Sequence, residues 1–499
     1  MRDAARLSSS CSAFLRAWGR YPRLTFDEDT LRLKRQHPEP EAAAPHRAGE
    51  DNMMPLPIIL RQQHQQQDDV LVVLQKRDEL ARAFVRHVDA IMSRRRSGAA
   101  LDELTIKFAY LREQEAPCVD LWMRLALTST TTRRLRLDFL PHGCYNPERL
   151  QYDLPCSLLS AGTAAAGALE HLYLRLGSIQ PPKPELTNLV TLVLSRVRVT
   201  GEDLGHLLYS CHKLQSLKLK RCEDLSYVKV PPDRLKQLRI LVVKSCWSMR
   251  EIHISGSSIE SLRFEGRHMP GTLLCGSVGS ALKVTSAEFD LEYLIAPAES
   301  EATEAESSRL QLLSLAHLMP HLETLSLTLV RHIKVVMTSP HSSGNKFRHL
   351  KRVKLEFYMP GRHGRDDFLF VYSFLDSAPI LEALSLNLMR GAPVFDARRY
   401  RRRLQQQPPA GGYFRKHQGL PHHSLKDVGI TGFDADLASL ELVLHILEKA
   451  RVLRCISLET IWSRDDDSDP FQIRLIREAI SKYIVPAVPS GSGILLQVK

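Results

Sequence analysis

A short apolar pattern recurs along the chain and restricts its fold more than any other feature. Two copies are complete: Leu214, Leu217, Leu219 and Cys222, and then Leu238, Leu241, Val243 and Cys246, 24 residues further on. The same skeleton without the terminal cysteine occurs at Leu169/Leu172/Leu174, Leu189/Leu192/Leu194, Ile259/Leu262/Phe264, Leu322/Leu325/Leu327, Leu350/Val353/Leu355 and Leu381/Leu384/Leu386. Weaker copies start near Leu101, Leu282, Leu425 and Leu453, and the segment Pro320 to Leu327 nearly repeats itself as Pro379 to Leu386. Alternation within each copy places two apolar side chains on one side of a short strand. An amphipathic helix would carry apolar residues at i, i+3, i+4 and i+7 over ten or more positions, and these segments do not.

A unit of this kind cannot bury its leucines alone, so the array must hold several units and needs end caps. The pattern L-x-x-L-x-L-x-x-N/C is that of a leucine-rich repeat. The expected fold is therefore an α/β leucine-rich-repeat solenoid, a horseshoe with short parallel strands on its inner curve, behind a short helical N-terminal head. Such an array accounts for 499 residues, more than one compact core usually holds. Spacings of 20 to 25 residues from Leu169 to Leu282, against 28 and 31 from Leu322 to Leu381, predict a variable outer side with longer helices later. Breaks at Pro297 to Arg309, Ser339 to Phe347, Pro360 to Asp367 and Arg390 to Ser424 read as surface loops. The division expected is a head over 1–33, a disordered linker over 34–69 rich in Pro, Ala, His and Gln, and a capping region over 70–100. Within that region Leu80, Phe84, Val88, Ile91 and Met92 mark a helix from Lys76 to Arg96. The solenoid follows over 101–462, with insertions at 297–309 and 390–424, and a cap and tail over 463–499 complete the chain.

Charge narrows the partner classes through its distribution more than its size. Of the net +12, the stretch Arg390 to Ser424 supplies +7 through eight basic residues and one acid. Its tract Arg398-Arg399-Tyr400-Arg401-Arg402-Arg403 reads as a solvated loop or a nuclear import signal. No aromatic stacking platform accompanies it, which argues against a nucleic-acid partner. No stretch approaches the roughly 18 apolar residues of a membrane span; the best run is Val70 to Leu74. Nine cysteines with no CxxC pair, and no apolar signal-peptide core after Met1, fit a reducing compartment, cytoplasmic or nuclear. In that setting Cys222 and Cys246 are expected to be buried, unpaired thiols. The first 24 residues, rich in Arg and Ser with one acid, also resemble a mitochondrial transit peptide.

No catalytic, cofactor or metal site is expected. His317 and His321 stand four apart, but Pro320 lies between them and no Glu follows His317, which is not the metalloprotease arrangement. Gly276-Ser277-Val278-Gly279 lacks the Lys and Ser/Thr of a phosphate-binding loop. The chain reads as a non-catalytic binder of a protein target. Its binding surface is expected on the concave strands at His171, Tyr173, Arg175, Lys218, Lys220, Val242, Lys244 and Arg263, which point away from the leucines. Neighbouring strands bring Lys220 beside Lys244, which suits an acidic partner.

The head adds a family resemblance. Asp3 to Trp18 has helical spacing with Leu7, Cys11, Phe14, Leu15 and Trp18 on one side. The run Asp3-Ala4-Ala5-Arg6 through Phe14-Leu15-Arg16-Ala17-Trp18 to Pro22-Arg23-Leu24-Thr25-Phe26 resembles the closing helix and exit of the F-box in plant F-box/leucine-rich-repeat proteins. The helix ending Arg86-His87-Val88-Asp89-Ala90-Ile91, the pair Ser210-Cys211, and Arg221-Cys222-Glu223-Asp224-Leu225 followed by Pro231 are similar to that family's repeat region, a likeness running from Glu79 to about Trp462. The resemblance implies a substrate receptor of a cullin-type (SCF) ubiquitin ligase. Leu7, Phe14, Leu15 and Trp18 would then be a remnant of the surface docking on the Skp adaptor. The family's opening Leu-Pro-acidic stretch has no counterpart ahead of Asp3, so the expectation is a truncated F-box with weak adaptor binding. The alternative is a repeat scaffold or decoy without ligase coupling.

Overall fold

The computed structural model describes residues 21–28, 75–93, 100–111, 113–127, 131–140, 152–154, 156–159, 167–179, 186–254, 256–266, 274–275, 282–291, 312–330, 346–359, 368–390, 414–417, 419–460 and 470–498. They group into two compact units: Met1–Leu214 with Cys222–Asp224, and Gln215–Arg221 with Leu225–Lys499. The linker expected over 34–69 and the insertion at 297–309 lie outside the described residues.

In the first unit the strands β1 (Arg23–Asp27), β2 (Glu103–Lys107), β3 (Arg134–Asp138), β5 (His171–Ile179) and β6 (Thr191–Arg198) pair in that order, all parallel, and β4 (Tyr152–Leu154) pairs with the end of β5. The register stacks like on like. Leu24, Leu104, Leu135, Leu172 and Leu192 form one buried row, and Phe26, Ile106, Leu137, Leu174 and Leu194 the next. Each fully buried aliphatic side chain in such a row contributes about 1.5–3 kcal/mol, so the rows are the main cohesive term.

The second unit repeats the scheme with β7 (Ser216–Lys220), β9 (Ile240–Lys244), β11 (Ser261–Glu265), β13 (Ser286–Asp290), β14 (Thr324–Val330), β15 (Arg352–Met359), β16 (Ala383–Arg390), β17 (Asp427–Thr431), β18 (Cys455–Glu459) and β19 (Leu495–Val498), again all parallel. A separate three-stranded parallel sheet of β8 (Tyr227–Lys229), β10 (Glu251–His253) and β12 (Leu274–Cys275) lies off this path. These strands occupy the return segments of the tightly spaced repeats. The longer spacings return through helices, because a helix rises only 1.5 Å per residue where a strand rises about 3.3 Å.

The helices are α1 (75–92), α2 (Ala116–Leu127), α3 (Gly201–Ser210), α4 (Leu312–Leu318), α5 (Leu369–Ser377), α6 (Leu437–Lys449) and α7 (Pro470–Ala479). Two have well-defined starts. Asp203 N–H donates to Thr200 Oγ1 at 3.2 Å at the start of α3, and Ser439 N–H to Asp436 Oδ1 at 2.8 Å at the start of α6. Among the described residues the tightly spaced stretch from Leu214 to Leu282 holds no helix, whereas α5 and α6 of the later, longer repeats have 9 and 13 residues.

The array also extends beyond the span read from sequence. Residues 21–28, assigned above to the exit of an F-box, form strand β1 in register with β2, with Leu24 and Phe26 buried. Helix α1 therefore lies between two strands and is a repeat's crossover, not a cap ahead of the first repeat. Its Phe84 stacks on Phe108 (4.1 Å) and meets Trp122 of α2 edge-on, while Trp122 Nε1 donates to Asp89 at 2.6 Å. At the other end β19 adds a strand within the region assigned to the cap and tail.

Three neighbouring strands, β6, β7 and β9, share a turn signature. Arg196, Arg221 and Ser245, each two residues past the second apolar position, adopt left-handed φ of 52°, 51° and 53°. That conformation costs a non-glycine residue about 1–2 kcal/mol. It turns the chain out of the sheet so that the next side chain points inward, and Cys222 and Cys246 are buried there. Cys222 Sγ lies 3.9 Å from the Leu194 carbonyl oxygen. Cys211 is also buried, and burial pushes its thiol up to about 12. In native protein at neutral pH, Cys211, Cys222 and Cys246 should therefore alkylate more than about a hundredfold slower than in urea. Half-buried Cys118 and Cys455 should react before these three. Site-resolved mass spectrometry of the alkylated chain checks this, and native labelling of Cys222 at the unfolded rate would contradict it.

Candidate protein-binding face

Because side chains alternate along each strand, the residues between the buried rows face outward and form a second set of rows. In the first unit the strand register sets Tyr173 of β5 beside Arg136 of β3, and Arg175 beside Asp138. The Arg136 guanidinium lies over the Tyr173 ring, 3.9 Å from its centre. Asp138 is buried and receives Arg136 at 3.2 Å, Arg175 at 3.6 Å and the Leu140 N–H at 3.2 Å. Two cations on one carboxylate leave this patch with an excess positive charge beside an aromatic ring. Burial and then the nearby Asp138 push the Tyr173 phenol up, so the ring stays neutral at physiological pH. Burial, reinforced by Arg134, pulls the His171 imidazole down.

In the second unit the register pairs Lys218 with Val242 and Lys220 with Lys244. The lysine neighbourhood expected from sequence is thus present. The charges of Lys244 and Arg263 are met from within. Lys244 lies 3.6 Å from Glu265 and 3.7 Å from Glu288, and Arg263 Nε lies 2.5 Å from Glu288. Sequence reasoning missed Arg136, Asp138, Glu265 and Glu288. The available signal was the alternation itself, which puts Glu265 and Glu288 on the same side as Arg263. Leu7, Phe14, Leu15 and Trp18 lie outside the described residues, as does the arginine tract 398–403.

Further along, the outward positions of β14 to β17 are mostly small: Thr324, Ser326, Ala383, Ser385 and Gly429. Together with Arg352 and Lys354 they line a shallow depression of ≈ 470 Å³. At its margin Glu356 accepts from Lys354 at 2.6 Å and from the Thr328 hydroxyl at 3.2 Å. Among the described residues no group of three or more His, Cys, Asp or Glu is placed to hold a metal ion, and no helix is long and apolar enough to cross a membrane. What the face offers chemically is recognition: fixed cations, carboxylates and an aromatic ring at about 4.8 Å lateral spacing.

Burial pushes the Glu356 carboxyl up, but the hydrogen bond and charge of Lys354, with the hydrogen bonds from Thr328 and Asn387, outweigh it and hold it below its ordinary range. A depressed folded value stabilises the fold above the unfolded carboxylate range, near 4.3, and that contribution disappears as pH falls through the folded value. Glu356→Gln should accordingly lower stability by about 1–2 kcal/mol at pH 7 and by less at about pH 3. Urea unfolding at the two pH values measures this, and an equal loss at both would contradict the assignment.

No curated protein matches the chain. A family does, described as At1g61320/AtMIF1, LRR domain, over residues 91–497. That span includes β2 to β18 and most of β19, and with it every outward row described above except the positions of β1. The chain belongs to this leucine-rich-repeat domain family.

Proposed function

We propose that the chain binds a protein target through the outward rows of its strands and serves as the target-selecting subunit of an SCF-type ubiquitin ligase. One observation carries the binding part of the reading. A regular parallel ladder presents irregular outward side chains, with Arg136 over Tyr173 in one unit and the Lys218, Lys220 and Lys244 cluster in the other. Their inward neighbours are uniformly apolar, so the variation is confined to the side that a partner can touch. Membership of a leucine-rich-repeat domain family supports a protein-binding role. Ligase coupling is supported by the likeness of Asp3 to Phe26 to the end of an F-box, within which Leu24 and Phe26 also serve the sheet. A cytoplasmic or nuclear setting is part of the proposal, consistent with the free thiols of Cys118, Cys211 and Cys455.

The second reading is a scaffold or decoy with the same face and no ligase. Affinity purification of the tagged chain from its source cells, with quantitative mass spectrometry, separates the two. Stoichiometric recovery of a Skp adaptor and cullin supports the ligase reading, and a target recovered without them supports the scaffold. Tyr173→Ala with Arg136→Glu, or Lys218→Glu with Lys220→Glu and Lys244→Glu, should reduce target recovery at least about tenfold, the loss of one hot-spot contact. The outer-side controls Lys236→Glu and Tyr209→Ala should leave it unchanged. Targets retained by both face variants and lost by the controls would place the binding surface elsewhere.

A further inference from the structure

Ahead of β17 the chain crosses the outer side of the second unit as a strap, described over residues 414–417 and 419–423. Backbone groups fasten it at three points. Arg415 N–H donates to Glu441 Oε1 at 2.9 Å, Leu420 N–H to Asp376 Oδ1 at 2.9 Å, and His422 N–H to the Lys449 carbonyl at 2.9 Å. Three imidazoles fill the interface. The His417 ring stacks on Tyr372 of α5 at 4.1 Å, His445 of α6 meets the same ring edge-on at 4.7 Å, and His422 is buried beside the end of α6. Among the described residues none of the three Nε2 atoms has a hydrogen-bond partner, although each is buried. Gly419 rests directly on His445: a Cβ there would lie 3.0 Å from Cε1 and 3.3 Å from Nε2.

We propose that this strap is an acid-sensitive latch, seated on α5 and α6 while His422 and His445 are neutral and released when they take up protons. A proton added at Nε2 of His445 would need an acceptor in the space that Gly419 occupies. The surrounding charges give a protonated ring little help. His445 faces His417 and His422 from the strap and Lys449 on its own helix, against Glu448 and, across Gly419, the Asp376 carboxylate that already accepts from Leu420 N–H; His422 faces His423 and Lys449, against the same Asp376 of α5. Glu441, one turn before His445 on α6, accepts the Arg415 N–H through Oε1 and lies close to the Tyr372 phenol, adding a carboxylate to this interface. Arg415, Lys416 and Arg451, which line the adjoining cleft with His417 and His445, add further positive charge.

Burial, aided by His422, His417 and Lys449, lowers His445 from 6.5 to about 4, and burial lowers His422 in the same direction. Released imidazoles titrate near 6.5. Between those values the released strap holds more protons than the seated one. Closure is therefore complete above pH 6.5 and weakens as pH falls towards 4, by up to about tenfold per unit for each histidine.

Hydrogen exchange on the full chain at pH 7.5 and 5.5, corrected for intrinsic rates and referenced to β17, tests this. The opening constant of the Leu420 and His422 amides should rise about tenfold to a hundredfold at pH 5.5. In His422→Gln/His445→Gln the rise should fall below about twofold, and Gly419→Ala should open the strap already at pH 7.5. No rise beyond that of β17, or a rise that persists in the double variant, would overturn the proposal. If the double variant does not fold, imidazole proton resonances of the wild-type chain decide: His445 and His422 both titrating below the ordinary imidazole value support the latch, and both titrating near 6.5 overturn it.

Discussion

One backbone interaction recurs at the entrance of nearly every strand and holds the repeats together. A single carbonyl accepts the N–H groups of two consecutive residues of the following strand. In the first unit Pro22 O receives Asp102 and Glu103, Asp102 O receives Arg133 and Arg134, Arg133 O receives Glu170 and His171, and Glu170 O receives Val190 and Thr191. In the second, the Gln215, Arg239, Glu260, Thr285, Glu323, Lys351, Glu382 and Lys426 carbonyls do the same. Every repeat is thereby fixed at one height relative to its neighbour, and a one-residue slip would turn each apolar row outward. The apolar rows and the outward rows are both consequences of that lock. Stability is accordingly a matter of nearest neighbours, with no repeat able to hold its leucines alone.

The same lock explains how a face can vary without cost to the fold. Outward residues meet only their lateral neighbours and solvent, so Asp138 can gather two arginines in one unit and Glu288 can neutralise Arg263 and Lys244 in the other while the inner rows stay unchanged. Most of these pairs are partly exposed, so each contributes at most about 1 kcal/mol to stability. Their larger effect is on recognition, because they set which cations remain for a partner and which are occupied.

How much of this is legible in the sequence depends on how closely each repeat keeps to leucine. Where it does, as at Leu172/Leu174 or Leu384/Leu386, the strand and its outward residues follow from alternation alone. Strand β3 escapes because the leading apolar position holds Thr132, buried with its hydroxyl donating to the Ala126 carbonyl at 2.7 Å. Strand β13 is misplaced by two residues because its skeleton is Val284, Ala287 and Phe289, and β1 is hidden in a segment that reads from sequence as an F-box exit. Contacts across strands are harder still. Arg175 and Asp138, or Lys244 and Glu288, are brought together only once the lengths of the intervening returns are known. The strap histidines follow no repeat at all, since His417 and His445 meet through an insertion folding back on α6.

The account depends on the division of each strand into an inward and an outward row, and stability measured on matched substitutions tests that division most directly. Urea unfolding of Leu241→Ala and Leu262→Ala should show losses of about 2–5 kcal/mol each, as expected for fully buried leucines. Lys218→Ala and Ser261→Ala, outward positions in the adjoining register, should stay within about 0.5 kcal/mol of wild type. Comparable losses at the two sets of positions, or larger losses at the outward ones, would contradict the alternation and the binding face built on it.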